Sequence, residues 1–444
     1  MKIKVPSYVN KVIGLLELAG FEAYIVGGCV RDQLIGAEPN DYDVCTNARP
    51  EQVIEALSGL HVIETGIKHG TVTAMVEHKP VEITTFRSDG EYEDHRHPKQ
   101  VTFSKTLKED LSRRDFTVNA MAYSDRTGLV DMFGGQGDLR NRIIRCVGEP
   151  DKRFDEDALR ILRAMRFSSV LDFEIEDETA AAVMRNRRLL ESISAERIMQ
   201  ELQKLLCGDR AVDVLLGFSE VMCVFIPELA PCIGFRQNNP HHCYTVYEHL
   251  CRSVGNIRKD PALRLTMLLH DIEKPACKTT DDIGIDHFKG HPVKSAETAD
   301  VILRRLKLDN ASRERITALI RNHDNRIACT KKTVKKYISK HDMGFFEDYL
   351  DVRYADTMAQ SNYRIEQKLD ELESFHKIYD EIVAERPVMS VRQLDIDGRD
   401  LMAEGYKGKD IGSALELALD AVIEEVCAND KKELLNYIEK NLKK

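Results

Sequence analysis

IVGGCVRD at residues 25–32, followed by NDYDV at residues 40–44, is the stretch on which the fold of this 444-residue chain is read. The apolar run Ala23–Val26 has strand character and ends on the turn Gly27-Gly28. Asp41 and Asp43 stand two apart in a second strand-like run, so a period of two turns both carboxylates to one side. Paired oxygen ligands suit Mg²⁺, which keeps part of its water shell. Nucleotidyl transfer needs such a metal to activate a hydroxyl and to neutralise triphosphate charge. Gly27 and Gly28 let backbone approach phosphate without a Cβ, and Arg31 adds a cation. Two aspartates around one residue also fit a surface turn, so it is the combination that points to nucleotide chemistry. Glu82, in VEITTFR, reads equally as an accessory carboxylate or as an ordinary strand residue.

On either side of this stretch, Lys11–Leu18 has helical spacing, and Thr71–Val76 and Val81–Phe86 read as a hairpin turning at His78-Lys79-Pro80. From about residue 136 strand signals fade. Asp157–Phe167, Ala195–Leu206, Pro261–His270 and Ile365–Glu385 carry apolar residues at helical intervals. The expectation is an α+β head with a mixed sheet at 1–135, then a helical neck at 136–206, a body at 207–240, a helical domain at 241–360 and a helical tail at 361–444. The stretch FRQNNPHH (235–242) is the expected break within the helical part.

Composition narrows the class. At about 150 residues per domain the length suggests roughly two to four domains. Hydrophobic residues at 43% and charged residues at 31% indicate globular cores. A net charge of -10, from 64 Lys+Arg against 74 Asp+Glu, argues against coating nucleic acid through bulk basicity. No run approaches the roughly 18 apolar residues of a membrane helix, and MKIKVPSYVN has no apolar signal core. A cytoplasmic protein with no membrane and no obligate protein partner is expected. The 11 cysteines show no CxxC and read as reduced packing residues.

Two further segments carry chemistry. RRDFTVNA (113–120) gathers Arg113, Arg114, Asp115 and Asn119. The arginines can grip phosphate, Asp115 can accept from a ribose hydroxyl, and Asn119 can reach the same ligand. Taken alone, the segment also fits a solvated helix face. FDEDALRILRAMRF (154–167), read as one helix, sets Glu156, Asp157, Arg160, Arg163 and Arg166 on neighbouring turns. Asp157 and Arg160 then form a pair of acceptor and donors able to bond the Watson–Crick edge of a base. An ordinary helix-stabilising salt bridge is the alternative.

Taken together, IVGGCVRD and NDYDV resemble the first signature of the nucleotidyltransferase superfamily that includes DNA polymerase beta. In detail they resemble its class II tRNA nucleotidyltransferase and bacterial poly(A) polymerase branch. RRDFTVNAMAY is similar to that branch's second motif, and EDALRILRAMRF to the amino-acid template motif of class II CCA-adding enzymes. The resemblance implies that Asp41 and Asp43 are the catalytic Mg²⁺ ligands. It implies nucleotide binding by Gly28, Arg31, Arg114, Asp115, Asn119, Asp157, Arg160, Arg163 and Arg166, with Glu156 holding the arrangement. VDMFGGQGDLRNRIIRCVG (130–148) resembles the family's hinge, and SAERIMQELQKLL (194–206) its neck, with Ser194 as N-cap. Ser88–Phe103 corresponds to the loop that switches between CTP and ATP and reads as mobile; it carries His97 and Lys99 at positions where the family's pattern differs.

In the second half, LLHDIEKP (268–275) resembles the central motif of HD-domain phosphohydrolases, although Glu273 stands where such motifs often have Gly. The resemblance implies a divalent metal (Mn, Ni or Fe) on His249, His270, Asp271 and Asp356, with His291 and His323 available to a second metal. It implies phosphatase or 2′,3′-cyclic phosphodiesterase activity. LDIDGRDLMAEGYKGKDIG (394–412) resembles the tail of HD-containing family members and reads as a tRNA contact or a packing element. The implied function is template-independent addition of CCA to the 3′ end of tRNA from CTP and ATP, with release of pyrophosphate. Poly(A) polymerase or a partial CC- or A-adding enzyme is the nearest alternative, and the acidic balance weighs against the former. An HD phosphohydrolase with an RNA-binding N-terminal half, or a tRNA-binding protein without catalysis, would leave Asp41 and Asp43 silent.

Overall fold

The computed structural model describes residues 3–89 and 101–442. The chain divides into two compact units, Met1–Ala230 and Pro231–Lys444. The expected break at 235–242 is displaced by a few residues, because that polar stretch bonds within the second unit. Asn238 N–H donates to Asp286 Oδ2 at 3.0 Å, Val246 N–H donates to Phe235 O at 2.9 Å, and Gln237 Nε2 donates to Tyr244 O at 3.2 Å.

In the first unit the strands are β1 (Ala23–Val26), β2 (Asp43–Thr46), β3 (His61–Ile63), β4 (Thr71–Val76), β5 (Lys79–Thr85), β6 (Arg87–Asp89), β7 (Val101–Phe103), β8 (Met121–Ser124) and β9 (Gly128–Asp131). Seven form one mixed sheet in the order β3-β4-β5-β2-β1-β8-β9. β2 and β5 run parallel, with Asp43 opposite Glu82; the other neighbours are antiparallel. β1 is buried along its whole length, as a central strand covered on both faces must be. The helix Ser7–Leu18 buries Val9, Val12, Ile13 and Leu16, an apolar stripe at helical spacing.

Three local expectations change. The β4–β5 hairpin turns on Glu77-His78, both with positive φ (52° and 62°), and Lys79 and Pro80 belong to β5. A two-residue turn of this hand needs positive φ at both centres, which proline cannot adopt. Asp41 precedes β2, so only Asp43 lies in the strand. The ends of the segment expected as a mobile loop, β6 and β7, pair antiparallel; its centre, with His97 and Lys99, lies outside the described residues.

After β9 the unit is helical apart from a two-residue ladder at Ile143–Ile144 and Glu174–Ile175. The segment read as one helix at 154–167 is two, Pro150–Glu156 and Leu159–Leu171. Asp157 is extended between them (φ −141°, ψ 100°), and its Oδ1 accepts the Leu159 N–H at 3.2 Å. A short carboxylate that bonds nearby backbone competes with helix continuation and opens the next helix instead. Ser194 precedes the helix Ala195–Leu206 as expected, but its side chain makes no cap hydrogen bond.

The helices Leu159–Leu171 and Ala195–Leu206 pack closely, with Ser169 Oγ donating to Leu205 O at 2.6 Å. Gly208 lies against the same serine: a Cβ there would sit 2.5 Å from Ser169 O and nearer still to its carbonyl carbon. Backbone in a helix cannot give way as a side-chain tip can. Gly208→Ala is therefore expected to destabilise the chain by about 2–3 kcal/mol, read from its urea midpoint; a midpoint equal to wild type would show that the contact relaxes freely.

The second unit is helical, with one two-residue ladder. Thr245 and Glu248 form a capping box that starts the helix Val246–Gly255. Asp260 caps the helix Pro261–Leu269 by accepting the Leu263 N–H at 3.0 Å. Residues Leu394, Ile396, Leu401, Ala414, Ala418, Leu434 and Ile438 bury a separate small core near the C-terminus.

Candidate nucleotide and metal sites

The glycine turn opens the first site. Gly27 has φ +81°, and a Cβ on it would stand 3.1 Å from Arg114 Nη1, so glycine allows both the turn and the approach of that arginine. Asp43 has solvent access, yet partial desolvation, helped by the charges of Asp41 and Glu82 and opposed by Arg114, pushes its carboxyl up to about 6. Carboxylates that repel each other in this way fit a divalent cation, which would remove the repulsion and hold them ionised.

A buried chain of hydrogen bonds joins the three sequence motifs. Arg31 Nη1 donates to Asn119 Oδ1 at 2.7 Å, and Asn119 Nδ2 donates to Asp115 Oδ1 at 3.1 Å. Arg163 donates through Nε and Nη2 to Asp115 Oδ2 at 2.9 and 2.5 Å. Burial opposes the Asp115 charge, but Arg163 and Asn119 hold its carboxyl well below the usual range. Asp115 thus anchors Arg163 and Asn119. The guanidinium carbons of Arg31, Arg163 and Arg166 lie 5.1, 5.3 and 3.8 Å from the centre of the Phe167 ring, cation–π distances that fix three charges around one aromatic post. Arg166 also donates to Glu201 Oε2 at 2.6 Å.

The helix break rearranges the expected base-reading pair. Arg160 is 7% exposed and donates to Glu156 Oε2 at 2.7 Å, Arg153 O at 3.1 Å and Arg113 O at 2.8 Å. Asp157 faces Arg197, at 3.5 Å. Sequence spacing suggested that Asp157 and Arg160 would stand as one rigid pair on a single helix; the structure instead sets them on either side of a helix start and engages Arg160 with Glu156 and Asp157 with Arg197. Arg153 completes the cluster by donating to Glu156 Oε1 at 2.6 Å and Ser112 O at 3.1 Å.

The second unit brings together all four residues expected there. His249, His270, Asp271 and Asp356 present ligand atoms within 4.8 Å of one another, as do Asp271, His291 and His323. His249 and His270 are fully buried, and Asp271 is 1% exposed. His249 Nε2 lies 3.0 Å from Asp356 Oδ1 and 3.2 Å from Asp271 Oδ2. Burial works against charge on the His249 and His270 imidazoles, but Asp271 and Asp356 prevail: the first is raised and the second is pushed up to about 10. The same pairing holds both carboxyls well below their usual range. The cluster thus demands positive charge among its side chains, which protons or metal ions can supply.

Three family models match parts of the chain. The Poly A polymerase head domain model matches residues 23–145, the polymerase A RNA and SrmB-binding site model 172–232, and the tRNA nucleotidyltransferase domain 2 model 292–438. A CCA-adding enzyme of Enterococcus faecalis is 32% identical over 436 residues, covering 98% of this chain and 95% of the relative. The chain belongs to the CCA-adding enzyme family. The Lactobacillus delbrueckii member is 45% identical over 227 residues, 51% of this chain. In that comparison, as in several others, the match spans about half the relative's length, here 56%. The crystal structure of the Bacillus stearothermophilus CCA-adding enzyme in complex with CTP superposes with TM-score 0.74 at 28% identity, covering 98% of this chain and 96% of that one.

Within this CCA-adding family member, sequence reasoning overlooked Asp110. It is fully buried, and it accepts from Arg113 Nε and Nη2 at 3.0 and 2.8 Å and from Arg114 Nη2 at 3.2 Å. Its spacing of three and four residues from the two arginines was the available signal. Lys274 was also missed: it is buried, with Nζ 2.5 Å from Asp271 Oδ2 and 3.1 Å from Gln237 Oε1. Among the described residues no helix is long and apolar enough to cross a membrane.

Proposed function

We propose that this protein adds cytidine, cytidine and adenosine to the 3′ end of tRNA, taking CTP and ATP as substrates without a nucleic-acid template and releasing pyrophosphate. The observation that carries the reading is the buried chain Arg31–Asn119–Asp115–Arg163, which ties the glycine turn and the second motif to the helix that follows the Asp157 break. Asp41 and Asp43 would hold Mg²⁺. When bound, the metal would lower the pKa of the tRNA 3′-hydroxyl and neutralise charge on the triphosphate. The chain's own residues do the rest. The Gly27 turn admits the triphosphate to backbone; Arg114, held by Asp110, offers it a fixed cation. Arg31 and Arg163, stiffened around Phe167, set where the nucleotide's anionic end lies, so that the hydroxyl meets the α-phosphorus in line. Glu156 and two backbone carbonyls lock the Arg160 plane, and Asp157, set at a helix start, offers a rigid acceptor. These two side chains read the base. A cytoplasmic location is consistent with a tRNA-end activity.

Incubation of tRNA lacking its CCA with one nucleotide at a time tests the selectivity. CTP alone is expected to add two residues and stop, UTP and GTP to add none, and Arg160→Ala to blur the distinction. Equal use of all four nucleotides by wild type would contradict this reading.

The second unit supports a second reading. The convergence of His249, His270, Asp271 and Asp356 fits a transition-metal centre, and a metal-dependent phosphohydrolase acting as a phosphatase or 2′,3′-cyclic phosphodiesterase is the activity this geometry favours.

A further inference from the structure

We infer that the lysines of the helix Lys331–Lys340 and the glutamates at 424 and 425 form an ionic latch, which docks a C-terminal module (388–442) on the second unit and releases it when charge is screened. The inference is independent of the metal reading of that unit and of the transfer chemistry.

The module has a core of its own. Leu394, Leu401, Ala414, Leu434 and Ile438 belong to one apolar cluster, and the hydrophobic residues packed against it lie between Val388 and Leu442. A cluster so bounded holds the module together without tying it to its neighbours. The segment 394–412, which the sequence leaves between a tRNA contact and a packing element, is part of this body, with Leu394, Ile396 and Leu401 in its core.

At the module's edge the structure places charge. Lys335 Nζ donates to Glu425 Oε1 at 2.9 Å, Lys332 Nζ lies 3.3 Å from Glu424 Oε1, and Lys336 pairs with the same Glu424 oxygen. Glu385, the last residue of the helix Ile365–Glu385, accepts from Lys331 and stands 3.9 Å from Lys335. The Lys335 side chain is 7% exposed, so its ammonium meets the carboxylate where water screens it least.

What marks this contact as a latch is that each side breaks the rules of its own helix. A helix N-terminus favours acids, yet Lys331 and Lys332 open theirs and no acid stands in its first turn. Lys331 with Lys335, and Lys332 with Lys336, are like charges four residues apart, which repel. The helix Lys409–Ile423 has no cation in its last turn and runs into Glu424 and Glu425, where cations would be favoured. Glu425 also has φ +59°. Its N–H donates to Val422 O at 3.0 Å and the Val426 N–H to Ala421 O at 2.9 Å, so it holds the left-handed position of a Schellman end, where glycine is usual. These faults cancel when the two ends meet, positive end and lysines against negative end and carboxylates. Local rules broken on both sides of one contact, and mended by it, point to an element kept for its contact rather than for its own stability. Screening weakens the attraction and leaves the apolar core intact, so the module departs as a folded body and bares the lysine face.

Amide hydrogen exchange in the full-length protein, read by mass spectrometry, tests the latch. Raising KCl from about 0.1 M to about 1 M shortens the screening length from about 10 to about 3 Å. Exchange in the helix Lys331–Lys340 and at the end of the helix Lys409–Ile423 should then rise about tenfold, with the helix Ser7–Leu18 of the first unit unchanged as the reference. At the lower salt, Glu425→Lys should reproduce the rise, and adding Lys335→Glu should reverse it. Glu425→Gly gives a test of sign: backbone preference alone predicts slower exchange at that helix end, and the latch predicts faster. Exchange indifferent to salt, a charge-swapped pair no better than Glu425→Lys alone, or slower exchange in Glu425→Gly would each overturn the latch. If Lys335→Glu fails to fold, the salt series and the glycine variant decide.

Discussion

Asp43→Asn should lower the rate of CMP addition to tRNA lacking its CCA by roughly 10²- to 10³-fold or more, while leaving the metal-free protein at least as stable as wild type. The two halves of this result have one cause. The Asp43 carboxyl is pushed up to about 6 by desolvation and by the charges of Asp41 and Glu82. A carboxyl whose folded pKa lies above its unfolded value of about 3.9 is unfavourable as an anion in the fold. Above pH 6 its charge therefore opposes folding, and the neutral amide removes that opposition. The same charge is what a divalent cation would bind, so the substitution removes the ligand that the transfer step depends on. Asp41→Asn should show the same loss of activity. Thermal melts and single-turnover incorporation, measured on the same preparation, check both halves. Wild-type rates in either variant would remove the proposed metal site; a large loss of stability would show that Asp43 is a structural anchor instead.

Asp110→Ala should act in the opposite manner, removing stability first. The residue is fully buried, and both Arg113 and Arg114 donate to it. Substitution leaves two largely buried guanidinium groups without this acceptor, a loss of about 3 kcal/mol or more. Burial would raise the Asp110 pKa, but Arg114 and Arg113 outweigh it and hold it below the usual range. A depressed folded pKa contributes stability that is complete above the unfolded pKa of about 3.9 and is lost as pH falls through the folded value. Wild type should therefore lose stability on acidification below about pH 4, and the variant should have a flatter acid limb. Because Asp110 positions Arg114 beside Gly27, KM for CTP should rise more than kcat falls. Urea denaturation at several pH values checks the first effect; a loss below about 1 kcal/mol would mean that the arginines find other partners.

Much of this was legible in the sequence because it follows from local rules. The Gly27 turn, the Thr71–Val76 strand and the helices at 195–206 and 365–385 are set by glycine freedom and by apolar periods that only one structure satisfies. The break at Asp157 was hidden because FDEDALRILRAMRF keeps helical periodicity across it; only the side chain's bond to Leu159 N–H reveals that the aspartate opens a new helix. Asp110 was hidden behind the arginines it holds. In the second unit the histidine types and order were readable. That His291 and His323 face one oxygen of Asp271, while His249 and His270 face the other, depends on helix packing and has no sequence signal. The eventual partners of Arg160 and Asp157 were likewise decided by the break and by Arg197, on a helix remote in sequence that packs alongside.

The most direct test of the central claim is to give the purified protein a tRNA that lacks its terminal CCA, with Mg²⁺, CTP and ATP together, and to sequence the 3′ ends produced. Ends extended by CCA and then halted are the predicted result. Ends extended by CC alone, ends carrying runs of A, or ends left unextended would each contradict it.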